Sequence, residues 1–345
     1  MTEYLIRFKK ILGIDNTSNL FSDRIKGNGI FLYECDNIDI DDENKPHRRE
    51  GDEELVVSGS DKHSIWSNGD IFLYVDGTTL KKLSTDHAPE TLITDIDPTD
   101  RMCYVDVNGT AYFSNGSIIG YVFDGLPYPF PEPSLPTIRL KVNGNIVMMQ
   151  NPALSFKIKM IGGQCLEFYN SRLYAANGHN LMYSDAAILT QMDKRRNVIA
   201  FPDRITMVKA VLDGIYVGTK NAVFFQKGSD PNTDFTQMQV SGDGEGATEG
   251  TSIIIKDDDI GRGVTGRVAY WLSSMTGSVY RGLPGGLVIQ CQKGLFATED
   301  LDTGTAILKY DHGYQQYLAV CPLIPGMGGA TGEVKITKTS AEGLG

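Results

Sequence analysis

CLEFYNSRLYAANGHNLMYSD, residues 165–185, reads as strand, polar turn, strand. Its short runs are rich in apolar and aromatic residues, and pairs such as Asn177-Gly178 break them. Such pairs favour tight hairpins because both residues tolerate positive φ. The same grammar recurs in HSIWSNGDIFLYVDGTTLKKL (His63–Leu83) and MCYVDVNGTAYFSNGSIIGYVFDG (Met102–Gly125). It recurs again in ITMVKAVLDGIYVGTKNAVFFQKGSD (Ile205–Asp230) and in RVAYWLSSMTGSVYRG (Arg267–Gly282), which GGLVIQCQKGLFATED (Gly285–Asp300) follows. Phe72, Tyr112, Tyr174 and Tyr216 serve as equivalent landmarks, 40, 62 and 42 residues apart. The long interval contains the proline-dense run Leu126–Pro136. Without that excursion a period near 40 remains, the length of a four-stranded propeller blade. One blade cannot bury both faces of its sheet, whereas blades stacked around an axis can.

The sequence therefore predicts an all-β chain, a β-propeller of about five to seven blades with an N-terminal arm and a C-terminal tail. A strand from each end of the chain is expected to help close the ring. A pair of β-sandwich domains is the competing arrangement. The expected divisions are an arm and acidic segment over 1–50, the propeller over 51–320 with a proline-rich insertion near 124–160, and a glycine-rich tail over 321–345. The tail should contain one strand, Val334–Lys338. Helical patterns are short and confined to Thr2–Leu12 and Ala186–Met192.

The 345 residues are 41% hydrophobic and 22% charged, the balance of a folded domain rather than a disordered one. Glycine, at 38 residues, is well above the usual share of about 7%, in keeping with many turns. The net charge of −11 argues against a dedicated nucleic-acid binder, which carries a basic face. No run approaches the roughly 20 apolar residues of a membrane helix. The opening MTEYLIRFKKILGIDN lacks the apolar core and cleavage site of a signal peptide. Cys35, Cys103, Cys165, Cys291 and Cys321 are scattered and odd in number, which points to reduced thiols acting as small hydrophobes and to folding in a reducing cytoplasm.

Candidate chemistry is sparse. Asp39, Asp41, Asp42 and Glu43 have the alternation of a calcium loop. Counted from Asp39, however, the sixth position is Asn44 rather than glycine, and Lys45 and Pro46 intrude before Glu50. A solvated turn pairing with Arg48 and Arg49 is the simpler reading. Asp95, Asp97 and Asp100 read as another turn, set by Pro98. Ser58 and Ser241 have no nucleophile elbow around them. His47, His63, His87, His179 and His312 have no zinc spacing. GDGEGATEG (Gly242–Gly250) lacks the Lys-Ser/Thr of a phosphate loop and carries Glu245 and Glu249; a flexible loop is expected there. GRGVTGR (Gly261–Arg267) is the one locally basic glycine loop. Trp66 and Trp271 lie in strand-like runs and are expected in the core rather than as sugar platforms. The expectation is therefore no catalytic, metal-binding or cofactor-binding residue, and no enzyme.

Several passages resemble β-propeller structural proteins of tailed bacteriophages, the tail hub or nozzle proteins also described as packaged-DNA stabilisation proteins. CDNIDIDDENKPHRREG (Cys35–Gly51) is similar to the opening of such chains, and HSIWSNGD (His63–Asp70) continues the likeness. LEFYNSRLYAANGHNLMYSDA and FPDRITMVKAVLDGIYVGTKNAVFFQKGSDP are its most specific part, with Tyr183-Ser184-Asp185 and Asp213–Thr219 as the characteristic phrases. The likeness covers about Gly13–Asp230 and loosens beyond. It implies a non-enzymatic virion component at the tail or head–tail junction, assembled in the host cytoplasm. The implied partners are copies of itself in a symmetric ring and portal, adaptor or other tail proteins, with no membrane and with DNA passing without specific binding. On that reading an acidic lumen would let the duplex slide, since basic contacts would hold its phosphates. A virion-attached propeller that binds a host glycan or receptor is the alternative, and a glycosidase or lyase a third.

Overall fold

A computed structural model of the protein describes residues 10–14, 25–26, 29–32, 38–40, 46–48, 62–84, 88–133, 137–150, 156–242, 244–255, 267–291, 301–311, 314–321 and 332–337. Five four-stranded antiparallel sheets follow one another along the chain, each a meander from its first strand to its last. Sheet 1 comprises Lys62–Ser67, Phe72–Asp76, Thr79–Leu83 and Pro89–Ile93. Sheet 2 comprises Cys103–Val107, Thr110–Ser114, Ile119–Phe123 and Leu126–Pro129. Sheet 3 comprises Cys165–Tyr169, Arg172–Asn177, Asn180–Tyr183 and Val198–Ala200. Sheet 4 comprises Ile205–Val211, Gly214–Thr219, Val223–Lys227 and Thr236–Gln239. Sheet 5 comprises Ile253–Ile255, Val268–Leu272, Val279–Gly282 and Val288–Gln290. A three-stranded sheet 6, Thr305–Asp311, Tyr314–Cys321 and Gly332–Thr337, comes last. The first strands of sheets 2 to 6 adjoin in succession. That of sheet 1 joins them where Trp66 stacks on Tyr104 with ring centroids 5.5 Å apart. The chain is an all-β propeller.

One packing rule joins the blades. Tyr112, Tyr174, Tyr216 and Tyr270 each occupy the third position of the second strand in sheets 2 to 5. Because side chains alternate along a strand, each Tyr faces the following sheet while its two neighbours face the preceding one. Tyr112 thus packs with Leu173 and Ala175, and Tyr174 with Ile215 and Val217. Tyr216 packs with Ala269 and Trp271, and Tyr270 with Tyr317 and Ala319. Each ring packs on two alternate residues of the next sheet, at least one of them smaller than the ring, so that the interface fills densely. The Tyr216 hydroxyl also donates to Leu283 O at 2.5 Å, satisfying its polar end.

Phe72 breaks the landmark series. In sheet 1 it is Leu73 and Val75 that pack with Ala111 and Phe113 of sheet 2, so Phe72 and Tyr74 project from the opposite face. The repeat is carried instead by Tyr270 at its other end. Asn108-Gly109, Asp124-Gly125 and Asn143-Gly144 all have positive φ at both residues, the hairpin turn expected of such pairs.

Several boundaries differ from the sequence expectation. The proline-dense run begins inside the propeller: Leu126–Pro129 is the outer strand of sheet 2, with Pro127 opposite Val122 and Pro129 opposite Gly120. An edge strand tolerates proline because its outward N–H groups need no partner. The insertion proper contains the hairpin Thr137–Val142 with Asn145–Gln150. Ala186–Met192 is not a helix. Ala187 has φ 61°, its N–H donates to Ser171 O, and Gln191–Asp193 is a strand paired with Lys157–Lys159. A seven-residue segment forms too few helical bonds to offset nucleation when strand partners stand beside it. Of Thr2–Leu12, the described part lies in the strand Lys10–Ile14, which pairs in parallel with Gly29–Leu32. The arm therefore contains strands of its own, among them the hairpin Ile38–Ile40 with Pro46–Arg48. The tail strand exists as Gly332–Thr337, but it pairs with Tyr314–Cys321, so sheet 6 crosses the division drawn at 321. Among the described residues sheet 6 takes no strand from the N-terminal end.

Candidate functional site: the charged axis

The innermost strands begin at Cys103, Cys165, Ile205, Ile253 and Thr305, and the segments leading into them converge at one end of the axis. Arg101 lies just before the first of these. Its guanidinium donates to Gly304 O and, at 3.4 Å, to Gly250 O, so one side chain spans from sheet 2 to the approaches of sheets 5 and 6. Burial pulls its pKa down, and the nearby Glu249 carboxylate opposes that pull. Glu249 is also held by Arg204, at 2.8 Å to Oε2 and 3.1 Å to Oε1. This planar fork on a carboxylate fixes direction as well as charge.

A second cluster lies farther along the strands. At the position paired with the landmark tyrosine, sheets 2 to 5 carry Val105, Glu167, Lys209 and Ile253 on their innermost strands. Glu167 is almost fully buried. Arg267 Nη2 stands 3.4 Å from its Oε1, and Lys209 Nζ 3.9 Å from its Oε2. A buried carboxylate without such partners would cost several kcal/mol.

Cys103 and Cys165 lie between the clusters. The Cys103 thiol donates to Ser114 O at 2.9 Å. Burial raises its pKa well above the ordinary thiol value and pushes that of Cys165 up to about 12. Both are protonated at neutral pH and are weak nucleophiles. The axis is thus a set of braces: Arg101, Arg204, Lys209 and Arg267 against Glu167 and Glu249. Among the described residues, these braces set four cations against two carboxylates.

The residues weighed from sequence lie apart from this axis or enter it in other roles. Asp39 is opposite His47 in the arm hairpin, while Asp41, Asp42, Glu43, Asn44, Lys45, Arg49 and Glu50 lie outside the described residues, as do Ser58, His87 and His312. Asp97 accepts from Thr99 N and Oγ1 at 2.9 and 2.7 Å, which hold its pKa down, and Asp100 accepts from Ser117 Oγ: a turn, as expected. Ser241 Oγ accepts from Val223 N at 2.8 Å and is a strand-edge contact. His63 Nδ1 lies 2.8 Å from Ser64 Oγ, and His179 forms part of a hairpin turn. Trp271 is core as expected, and the half-buried Trp66 packs against a separate core cluster, the one between sheets 1 and 2.

The Gly242–Gly250 stretch corrects the expectation of a flexible loop. Gly244 N donates to Asn221 O, Ala247 N to Thr219 O and Thr248 N to Leu272 O. Ala247 and Thr248 are completely buried. Gly246 lies so close to the Thr219 and Lys220 carbonyls that a Cβ would collide with them, which is why the connector needs glycine. Of Gly261–Arg267, only Arg267 is described. The sequence signal for this axis is positional: Glu167 and Lys209 are charges within otherwise apolar strands, opposite the repeating tyrosine.

No family model matches the chain. No curated protein matches it either. Solved structures do. A protein from Lactobacillus plantarum aligns at 10% identity over 86% of this chain and 89% of that one, with a TM-score of 0.44. An auxiliary nutrient binding protein from Bacteroides thetaiotaomicron aligns at 9% identity over 73% and 64%, with a TM-score of 0.42. Hsv2 of Kluyveromyces lactis aligns at 9% identity over 73% and 86%, with a TM-score of 0.32. Among the described residues no helix is long and apolar enough to cross a membrane, and no three His, Cys, Asp or Glu side chains gather to hold a metal ion.

Proposed function

We propose that this protein is a non-enzymatic structural component of a tailed-phage virion, a ring-forming hub or nozzle protein of the tail or head–tail region. The observation that carries the reading is how the axis uses its charges. The described axial charges named above are engaged in braces between blades rather than left to face a guest. Arg101 ties three sheets, Arg204 holds Glu249, and Lys209 with Arg267 flanks Glu167. A body stiffened in this way suits the task of presenting fixed loops and arms to neighbours. The sequence passages of residues 35–70 and 166–231 support the phage assignment by resemblance.

The mechanism is mechanical. Several copies, joined head to tail, enclose or decorate a conduit. The propeller's own axis, crossed by the Arg101 and Arg204 braces, is not that conduit. The acidic excess outside it would face passing DNA without binding the phosphates. The partners are copies of this chain and portal, adaptor or tail proteins.

Mass spectrometry of purified particles, with stoichiometry, tests the reading. The expected result is a stoichiometric component in a multiple fitting cyclic symmetry, lost from particles when residues 1–40 are removed. Absence from particles would overturn it. So would glycan binding by the isolated monomer, which would place the chain among host-recognition modules.

A further inference from the structure

The hairpin of residues 137–150 is an isolated two-stranded element with an exposed run of residues. Its two strands pair through six residues on each side, from Thr137↔Gln150 to Val142↔Asn145. No other strand pairs with either among the described residues. Every residue from 139 to 149 is exposed. The register sorts the side chains by face. Leu140, Val142, Val147 and Met149 share one face, which carries no charge. Arg139, Lys141, Ile146 and Met148 share the other. Ile146 is 69% exposed and Met148 54%. A two-stranded hairpin is marginal in water unless its apolar face is covered, and a cluster of exposed large apolar groups marks an interaction surface.

Charge selects the occupant. The hairpin has two cations and no acid, in a chain of net charge −11, so the rest of the chain carries −13. The rest of a neighbouring copy is net acidic, opposite in sign to the Arg139 and Lys141 face. We propose that this hairpin is an assembly arm that docks on a second copy of the same chain. Arms gain strength in number when each copy gives one and receives one around a closed ring. The inference deepens the ring reading given above and rests on it for the closed geometry, while the arm itself stands on its exposure and charge.

The test is sedimentation velocity of the full chain over a concentration and salt series. It compares wild type with Val147→Glu, with the pair Arg139→Glu and Lys141→Glu, and with a deletion of 137–150 closed by a Gly-Ser linker. All substituted positions are exposed, so thermal melts should match wild type and exclude misfolding. The expected result is a higher-mass species for wild type that dissociates in high salt and is lost in all three variants. Assembly unchanged by the deletion would overturn the arm and leave the ring reading standing. A wild type that stays monomeric would overturn the arm as well, and the ring reading would then stand or fall on particle stoichiometry alone. Capture of monomers on phosphatidylglycerol vesicles through the hairpin would overturn it in favour of a membrane contact.

Discussion

Replacing Arg101 with methionine tests whether the axial brace holds the late sheets to the early ones. Methionine keeps an unbranched apolar stem and removes the guanidinium. Two hydrogen bonds disappear, to Gly304 O and Gly250 O. Hydrogen bonds from a charged donor contribute about 1.5–3 kcal/mol each. Part of that is returned, because the buried cation no longer needs to be desolvated, the same burial that lowers its pKa. The net expected loss is therefore about 2–4 kcal/mol. Urea unfolding should show a lower midpoint with an unchanged slope, since the exposed area on unfolding is the same. Hydrogen exchange should localise the damage. Gly304 N bonds to Glu249 O and Ala306 N to Gly250 O, so amides of 301–306 should lose protection before those of sheets 3 and 4. Arg101→Lys should recover only part of the loss, because an ammonium lacks the fork that reaches both carbonyls. A loss below about 0.5 kcal/mol, with 301–306 exchanging as in wild type, would refute the brace.

Three further outcomes follow from particular contacts. Asp193 is buried and takes a bidentate grip from Arg195, Nε at 3.1 Å and Nη2 at 2.9 Å, which holds its pKa well below the usual carboxylate value. Its stabilisation is present above the ordinary carboxylate pKa and fades as pH falls through the depressed folded value. Asp193→Asn should thus cost about 1–3 kcal/mol near pH 7, and a pH series of chemical melts should show the gap to wild type closing only in strong acid. Gly282→Ala would place a Cβ 2.7 Å from the Tyr216 ring and 3.0 Å from Trp271, so calorimetry should show a loss of about 1–3 kcal/mol; a neutral result would mean that the interface of sheets 4 and 5 is looser than described. Maleimide labelling of the native protein at pH 8, read by peptide mass spectrometry, should modify Cys103 and Cys165 far more slowly than after urea is added, because both half-buried thiols stay protonated at that pH; native labelling as fast as in urea would contradict the raised thiol pKa values.

The sequence by itself determined the all-β class, the blade-sized repeat and the hairpin turns, because these depend on local chemistry. Period-two alternation and Asn-Gly or Asp-Gly pairs act over a few residues, and Tyr112, Tyr174 and Tyr216 repeat because each meets the same seat in the next blade. Only the tertiary structure decided which face each strand turns to its neighbour, since a one-residue change of phase reverses every side chain. Phe72 lost its place in the series for that reason, and Tyr270 gained one. The axial site lay beyond the sequence for a similar reason. Arg101 and Gly304 are 203 residues apart, and no local pattern pairs a guanidinium with a carbonyl that only ring packing brings within reach. Gly242–Gly250 looked mobile because glycine allows freedom in an isolated chain, yet in the folded chain the same glycine lets the connector press against the Thr219 and Lys220 carbonyls, where a side chain would not fit.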